Sequence, residues 1–177
     1  TNHFIIYLSF LILANISNQT LIMQATSNQN KAKYDVYGIG NAIVDIITEV
    51  DLDFFTKNEV EKGVMTLVDE KRQLHLMKAI DMKRSKMSGG GSAGNTVVAL
   101  NQFGGKSFYS CLVANDELGE FFLKDLKRNE VDTNLTYDKC PEGHTGRCLV
   151  MTSPDAERTM NTFLGVSSFL SPEQLDV

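Results

Sequence analysis

A cluster of glycines at residues 88–97 is the segment whose composition points most directly to ligand binding. It reads Ser-Gly-Gly-Gly-Ser-Ala-Gly-Asn-Thr-Val, with three consecutive glycines and a fourth that leads into a predicted helix. Glycine has no Cβ, so a ligand can approach the backbone, and free amides at a helix N-terminus can donate to hydroxyl or anionic oxygens. The alternative is a merely flexible loop, because glycine-rich loops are common.

Two familiar phosphate-binding patterns are incomplete in this chain. Residues 38–43 begin like the dinucleotide fingerprint GxGxxG, but Ile43 occupies the position of the third glycine. Residues 105–107, Gly-Lys-Ser, resemble the end of a P-loop, but Leu100 stands where the first glycine is required. The triplet also follows a predicted helix instead of preceding one, so we interpret it as a helix stop.

The predicted elements alternate between strands and helices. Residues 34–40 indicate a buried strand that ends in glycines, residues 42–50 continue as β-branched extended chain, and residues 107–113 indicate another strand. Residues 146–151 and 158–163 flank the turn sequence Ser-Pro-Asp-Ala, which predicts a β-hairpin.

Capping residues predict where the helices begin and end. Asp69 caps one helix, a second begins near Gly94 or Asn95 and ends at Gly104-Gly105, and a third follows the turn at Asn115-Asp116. A further helix starts at Ser171-Pro172. This alternation predicts a three-layer α/β domain, while the strand-rich pieces near 45–68 and 145–165 require a smaller β layer elsewhere.

The amino-acid composition argues against two functional classes, nucleic-acid-binding proteins and metalloproteins. With 42% hydrophobic residues, the 177-residue chain can bury one core, and a net charge of −5 without a long basic run argues against a nucleic-acid partner. The histidines are scattered and no CxxC pair occurs, so no metal site is expected. We interpret Cys111, Cys140 and Cys148 as reduced thiols of a cytoplasmic protein.

The N-terminal residues 1–33 are predicted to be an extension outside the fold. Residues 4–14 form an apolar run too short to span a bilayer but long enough for a signal-peptide core. No Lys or Arg precedes the run and no small-x-small site follows it closely, which argues against secretion. The favoured interpretation is that Met23 is the true start, with no association with a membrane.

An ordered set of motifs resembles the ribokinase-like (PfkB) family over residues 34–177. The set is Gly38-x-Gly40-Asn41-x-x-x-Asp45, Gly90-Gly91-x-x-x-Asn95, Gly104, and Asn115-Asp116-x-x-Gly119. The resemblance implies a ribokinase-like, Rossmann-like α/β sheet with a small β-strand lid, cut about halfway. Residues 154–161 further resemble a bacterial subgroup of adenosine-kinase-like members. The chain departs from the family pattern at Val97, where Ser, Thr or Ala is usual, and at Ala114, where Gly is usual.

The resemblance also implies which residues bind substrate. In the family, the first strand offers an Asn and an Asp to the substrate, and a Gly-Gly pair with a downstream Asn closes on its hydroxyls. By motif position these are Asn41, Asp45, Gly90, Gly91 and Asn95. The chemistry suits a polyol, since a carboxylate accepts from two vicinal hydroxyls and an amide both donates and accepts.

The residue Arg158 has two interpretations. The subgroup resemblance implies that it approaches the transferred phosphate, whereas an ordinary surface arginine of a hairpin is at least as good an explanation.

The implied activity is transfer of a phosphoryl group from ATP, with Mg2+, to a hydroxyl of a sugar or nucleoside. The family's catalytic base lies in a C-terminal Gly-x-Gly-Asp motif, which this chain does not contain. We therefore expect no catalytic residue here, and most of the ATP site beyond Val177. The alternative is a non-catalytic module that binds a sugar or nucleoside. The β layer serves either as a cover on a monomer or as the interface of a homodimer.

Overall fold

The computed structural model describes residues 32–175, which fold into two β-sheets with covering helices. The apolar run at residues 4–14 and the proposed start at Met23 lie outside the described residues.

The first sheet forms the centre of what we call the α/β layer. Strand β1 (Val36–Ile39) pairs in parallel with β5 (Ser107–Ser110). Helices α3 (Ser92–Gln102) and α4 (Glu117–Arg128) complete the layer, and their apolar residues share one buried core with the sheet. Tyr109 lies at the centre of this core and is fully buried.

The second sheet has five strands in the order β3-β7-β6-β2-β4. Their bounds are β2 Ile43–Glu49, β3 Met65–Leu67, β4 Lys86–Gly90, β6 Gly146–Thr152 and β7 Arg158–Phe163. Strand β2 runs parallel to β6 and antiparallel to β4, β6 runs antiparallel to β7, and β3 runs parallel to β7.

Two helices cover one face of the five-stranded sheet. Helices α1 (Leu52–Lys57) and α2 (Glu70–Ala79) contribute Phe55 and Leu76 to a buried cluster with strand residues such as Ile46. The opposite face carries Ile43 and Asp45 of β2 and turns toward the α/β layer. Because one face is packed and the other is open, the sheet has one side available for a ligand.

Short 3-10 helices complete the described chain, at Met82–Arg84, Tyr137–Lys139, Gly165–Phe169 and Pro172–Gln174. The last of these begins at the predicted position, with Pro172 in its first turn. The longest helix of residues 32–175 is α4, with twelve residues, and none of the described helices is long and apolar enough to cross a membrane.

Several local predictions are confirmed. The β6–β7 pair is the predicted hairpin. The Asp69 carboxylate accepts from the Arg72 amide at 2.7 Å and caps α2. Gly104 follows α3 with a φ of 89°, the left-handed conformation expected of a glycine after a helix. The three cysteines are buried free thiols.

Other predictions need correction. Helix α3 begins at Ser92, ahead of the predicted start at Gly94 or Asn95, because Gly91 has a φ of 88° and breaks the strand before it. Strand β1 is only half-buried, and β5 ends at Ser110 although the chain stays buried beyond it. Strand β4 and helix α1 were not predicted.

Asp116 links the two parts of the fold and yields a stability prediction. Its carboxylate accepts from the Gly119 amide at 2.8 Å, capping α4, and from the amide and hydroxyl of Thr145 at 2.9 and 2.6 Å. We expect Asp116→Ala to lower the free energy of unfolding by roughly 2–4 kcal/mol. Asp69→Ala, which removes a cap alone, should cost about 1 kcal/mol. Equal losses in chemical denaturation would contradict this role of Asp116.

Candidate functional site

A cavity of about 520 Å3 lies between the α/β layer and the uncovered face of the five-stranded sheet. Its walls come from β1, the β1–β2 link and the start of α3 on one side, and from β2, β3, β6 and β7 on the other. The lining includes four of the predicted substrate residues, Asn41, Asp45, Gly91 and Asn95. Residues that are separated in sequence by up to 54 positions therefore meet in one place.

Asp45 is the carboxylate of the cavity. It lies in the middle of β2, half-buried, opposite Ser88 of β4 and Cys148 of β6. Within residues 32–175 no side chain or backbone amide donates a hydrogen bond to it, and burial raises the pKa of its carboxyl above the ordinary aspartate value. A desolvated acceptor without a donor favours a ligand that brings hydroxyl groups.

Two glycines permit the close approach of the elements that surround Asp45. A Cβ on Gly90 would lie 2.6–2.7 Å from the atoms of the Asp45 carboxyl group, and a Cβ on Gly91 would collide with the backbone carbonyl of Asn41. Gly90 itself adjoins the cavity without lining it. Position 91 therefore requires glycine, also because of its left-handed φ, whereas a side chain at position 90 would displace the Asp45 carboxyl group.

Asn41 and Asn95 lie at the open side of the cavity. Asn41 follows β1, its side chain is exposed, and its backbone carbonyl accepts from the Tyr109 hydroxyl at 3.2 Å. Asn95 lies in the first turn of α3, beside Ser92 and Ala93, which also line the cavity. The Asn95 amide donates to the Gly91 carbonyl at 2.9 Å, so it is the side chain of Asn95, with the amides of Ser92 and Ala93 before it, that this end of α3 offers to a ligand oxygen.

Arg158 is not among the residues that line the cavity. It is exposed at the start of β7, paired with Thr152, and by strand alternation it shares a face with Met160 and Thr162. It lies about 13 Å along the sheet from the level of Asp45. Its interpretation as a phosphate contact remains a prediction.

The sequence analysis missed the apolar wall of the cavity. This wall is formed by alternate residues of three strands, with Ile43 beside them: Met65, Leu67, Cys148, Met160, Thr162 and Leu164. The period-2 pattern in β3 and β7 was the available signal. It could not be assigned to the cavity without knowing which face of the sheet α1 and α2 cover.

The apolar wall contains one titratable group, the thiol of Cys148. Burial, with a smaller contribution from Asp45, raises the pKa of Cys148 to about 11, so Cys148 is a neutral thiol near pH 7. The cavity thus combines a single carboxylate and two amides with an apolar surface.

The described residues contain no set of side chains that could ligate Mg2+. Within residues 32–175, no three His, Cys, Asp or Glu side chains are grouped so that they could hold a metal ion. Asp45 is the one carboxylate that lines the cavity.

Comparison with known proteins shows that the chain is similar to portions of several sugar and nucleoside kinases. Mouse ribokinase is 28% identical over 86 residues, which cover 49% of this chain and 26% of ribokinase. The crystal structure of adenosine kinase from Sinorhizobium meliloti is 39% identical, with a TM-score of 0.73, over 82% of this chain and 43% of that one. A probable sugar kinase from Rhizobium etli CFN 42 is 36% identical, with a TM-score of 0.71, over 81% and 42% of the two chains.

This chain spans less than half the length of each of these relatives. The fold predicted from the motifs is confirmed by the two structures, and their partial coverage agrees with a chain that corresponds to one portion of such kinases. Residues 45–177 match the family described as pfkB family carbohydrate kinase. Because that match covers well over half of its residues, the chain belongs to the pfkB family of carbohydrate kinases.

Proposed function

We propose that this chain supplies the acceptor-binding half of an ATP-dependent nucleoside kinase, which phosphorylates a hydroxyl of the nucleoside sugar. The observation that carries the proposal is the cavity, which combines Asn41, Asp45 and Asn95 with an apolar wall that lies beside Asp45 on the same face of the five-stranded sheet. A nucleoside has the same division, since its sugar carries hydroxyls and its base presents a flat, largely apolar surface. A free sugar has hydroxyls around its whole ring and would leave Met65, Leu67 and Met160 without an apolar partner.

The relatives support this choice of substrate class. The S. meliloti structure, named an adenosine kinase, is 39% identical to this chain. The ribokinase and the probable sugar kinase favour the alternative substrate, a simple sugar. The apolar wall favours the nucleoside.

The residues of this chain would act by binding and orienting the acceptor. Asp45 accepts hydrogen bonds from two neighbouring hydroxyls of the sugar, Asn41 and Asn95 fix its orientation, and Gly91 lets the backbone come close to it. Holding the acceptor hydroxyl in one geometry lowers the entropic part of the barrier to transfer. When bound, ATP with Mg2+ supplies the phosphoryl group and neutralises its charge. Arg158, on the cavity side of β7, is proposed to approach that group.

We infer that the base and the nucleotide site belong to sequence beyond the part described here. The second candidate function is a binding module without chemistry, which would hold the same acceptor in the same cavity. The proposed enzyme is cytoplasmic, as the three buried thiols suggest. Its partner is a small molecule, and it is either a monomer or a dimer through the five-stranded sheet.

The test of the proposed function is ligand selectivity in the full-length gene product. We expect adenosine to bind at least tenfold more tightly than D-ribose in isothermal titration calorimetry, because only adenosine covers the apolar wall. ATP-dependent phosphorylation of adenosine distinguishes the kinase from the binding module. Equal affinities for adenosine and ribose would contradict a base-binding wall.

Asp45 should be the residue on which acceptor binding depends most. Each lost charge-assisted hydrogen bond is worth about 1.5–3 kcal/mol, so Asp45→Asn should lower kcat/KM by roughly tenfold to a hundredfold. The melting temperature should stay the same or rise, because the variant removes a half-buried carboxylate that lacks a donor. Asp53→Asn, at an exposed position of α1, is the matched control. Normal kcat/KM in Asp45→Asn would remove Asp45 from the site.

The raised pKa of Asp45 predicts how affinity depends on pH. Burial disfavours the carboxylate in the free protein, whereas bound hydroxyls favour it, so ligand binding should release a proton. Affinity for adenosine should be full above the raised pKa and fall as the pH drops through it, in a window above the ordinary aspartate range. Calorimetry across that window should show no such fall in Asp45→Asn. The same fall in both proteins would assign the titration to another group.

A further inference from the structure

The hydroxyl of Tyr109 is a polar group of the core that bonds to the edge of the cavity. Tyr109 lies on β5 opposite Gly38 of β1, and it is 0% exposed. Its hydroxyl donates to the backbone carbonyl of Asn41 at 3.2 Å. Asn41 lines the cavity, whereas Tyr109 does not. The Tyr109 side chain therefore supports a cavity residue from behind.

Three glycines adjoin this side chain, so the backbone comes close to it on several sides. A Cβ on Gly38 would lie 3.2 Å from a ring carbon, and one on Gly40 would lie 3.5 Å from the hydroxyl oxygen. A Cβ on Gly94, in the first turn of α3, would lie 3.7 Å from the same oxygen. The hydroxyl is thus located where the end of β1 meets the start of α3.

The start of α3 supplies a donor to this hydroxyl. Burial raises the pKa of Tyr109 well above its ordinary value, Cys111 adds to this, and the Gly94 amide acts in the opposite direction as a hydrogen-bond donor. An amide in the first turn has no carbonyl partner within its own helix. The hydroxyl stays protonated near pH 7, so its proton is available for the Asn41 carbonyl. It therefore connects the β1–β2 link with α3.

The β1–β2 link is otherwise anchored on either side of Asn41. The Gly40 amide donates to the Ser110 carbonyl at 3.3 Å, and Ile43 pairs with both β4 and β6. Tyr109 provides the one hydrogen bond that the described residues donate to the Asn41 carbonyl. Asn41 is exposed, so without this bond its carbonyl could turn toward water.

The other two polar residues of the cavity are held by regular secondary structure. Asp45 lies in the middle of β2, paired on both sides with β4 and β6. The amide of Asn95 donates to the Gly91 carbonyl within the first turn of α3. Asn41 is therefore the one of the three whose orientation depends on a side chain of the core.

The alternative is a hydroxyl with a purely structural role, because buried tyrosines usually find a polar partner. The identity of the two partners argues against it. Asn41 is itself a candidate substrate residue, and Gly94 directly precedes another, Asn95. Phenylalanine would fill the same part of the core without requiring any partner.

We propose that Tyr109 is a positioning residue whose hydroxyl holds Asn41 in the orientation that binds the sugar of the acceptor. The inference rests on the proposed function. An Asn41 that is already oriented loses less conformational freedom when the ligand binds, so the bond contributes to affinity although Tyr109 does not line the cavity. A nucleoside and a free sugar both present sugar hydroxyls, so the contribution is the same for both.

Isothermal titration calorimetry on the full-length gene product tests this inference. Tyr109→Phe removes the hydroxyl alone, and we expect it to weaken the binding of adenosine and of D-ribose by the same factor, about three- to tenfold. The melting temperature should fall by less than about 5 °C. Tyr34→Phe, which removes a hydroxyl that donates to Asp132 at 2.8 Å in the same layer, is the matched control. It should leave both affinities unchanged.

A double-mutant cycle shows whether the hydroxyl acts through Asn41. In an Asn41→Ala background the side chain to be positioned is missing, so Tyr109→Phe should weaken adenosine binding by less than a further twofold. In an Asp45→Asn background the full loss of about three- to tenfold should remain, because strand pairing holds position 45. A general loosening of the core would instead weaken binding equally in both backgrounds.

The contrary outcomes separate the inference from the proposed function. Unchanged affinity in Tyr109→Phe, or the same loss in the Asn41→Ala background as in the wild type, would overturn the inference and leave the proposed function intact. Failure of Tyr109→Phe to fold would show that the hydroxyl is structural, which also overturns it. If the wild-type protein binds neither adenosine nor D-ribose, the proposed function fails, and the inference fails with it.

Discussion

The structure depends on how closely its two layers approach where the chain crosses between them. Gly91 lies against the Asn41 carbonyl, and a Cβ on Gly146 would lie 2.7 Å from the carbonyls of both Ala42 and Leu164. A side chain at Gly91 would collide with the link between β1 and β2, and one at Gly146 would collide with the backbone just before β2 and just after β7. The cavity opens directly beside this seam, so the same contacts that join the layers bring Asn41, Asp45 and Asn95 together.

This arrangement leaves Asp45 in an unfavourable environment. Its carboxylate loses water on folding and gains no donor from the described residues, which is why its pKa rises. A ligand hydroxyl can donate the hydrogen bond that the described residues do not provide. The free energy that the protein gives up in placing this group is therefore recovered on binding, and a site of this kind responds strongly to ligands that carry correctly spaced hydroxyls.

The sequence was informative where structure is determined locally. Asp69 and Asp116 cap helices through contacts with backbone amides three residues away, so the starts of α2 and α4 could be predicted. Strand β4 could not, because Lys86–Gly90 contains two glycines and no β-branched residue, and its extended form depends on pairing with β2.

The sequence predicted the motif residues of the candidate site but not its apolar wall. The glycine and asparagine motifs identified five candidate residues, four of which line the cavity, because those motifs resemble a known family. The apolar wall consists of ordinary strand residues whose role depends on which face α1 and α2 cover. The burial of Arg147 in β6 could not be predicted either, since a charged residue inside a strand is expected at the surface and here it is 6% exposed.

The short strand β3 has a thermodynamic consequence. Met65 and Leu67 line the cavity, yet they are 56% and 61% exposed, so water contacts much of the apolar wall in the free protein. A ligand that covers them removes apolar surface from water, which gives binding a negative change in heat capacity. The enthalpy of association then becomes more favourable on warming, so the balance of enthalpy and entropy measured for this site depends on the temperature of the measurement.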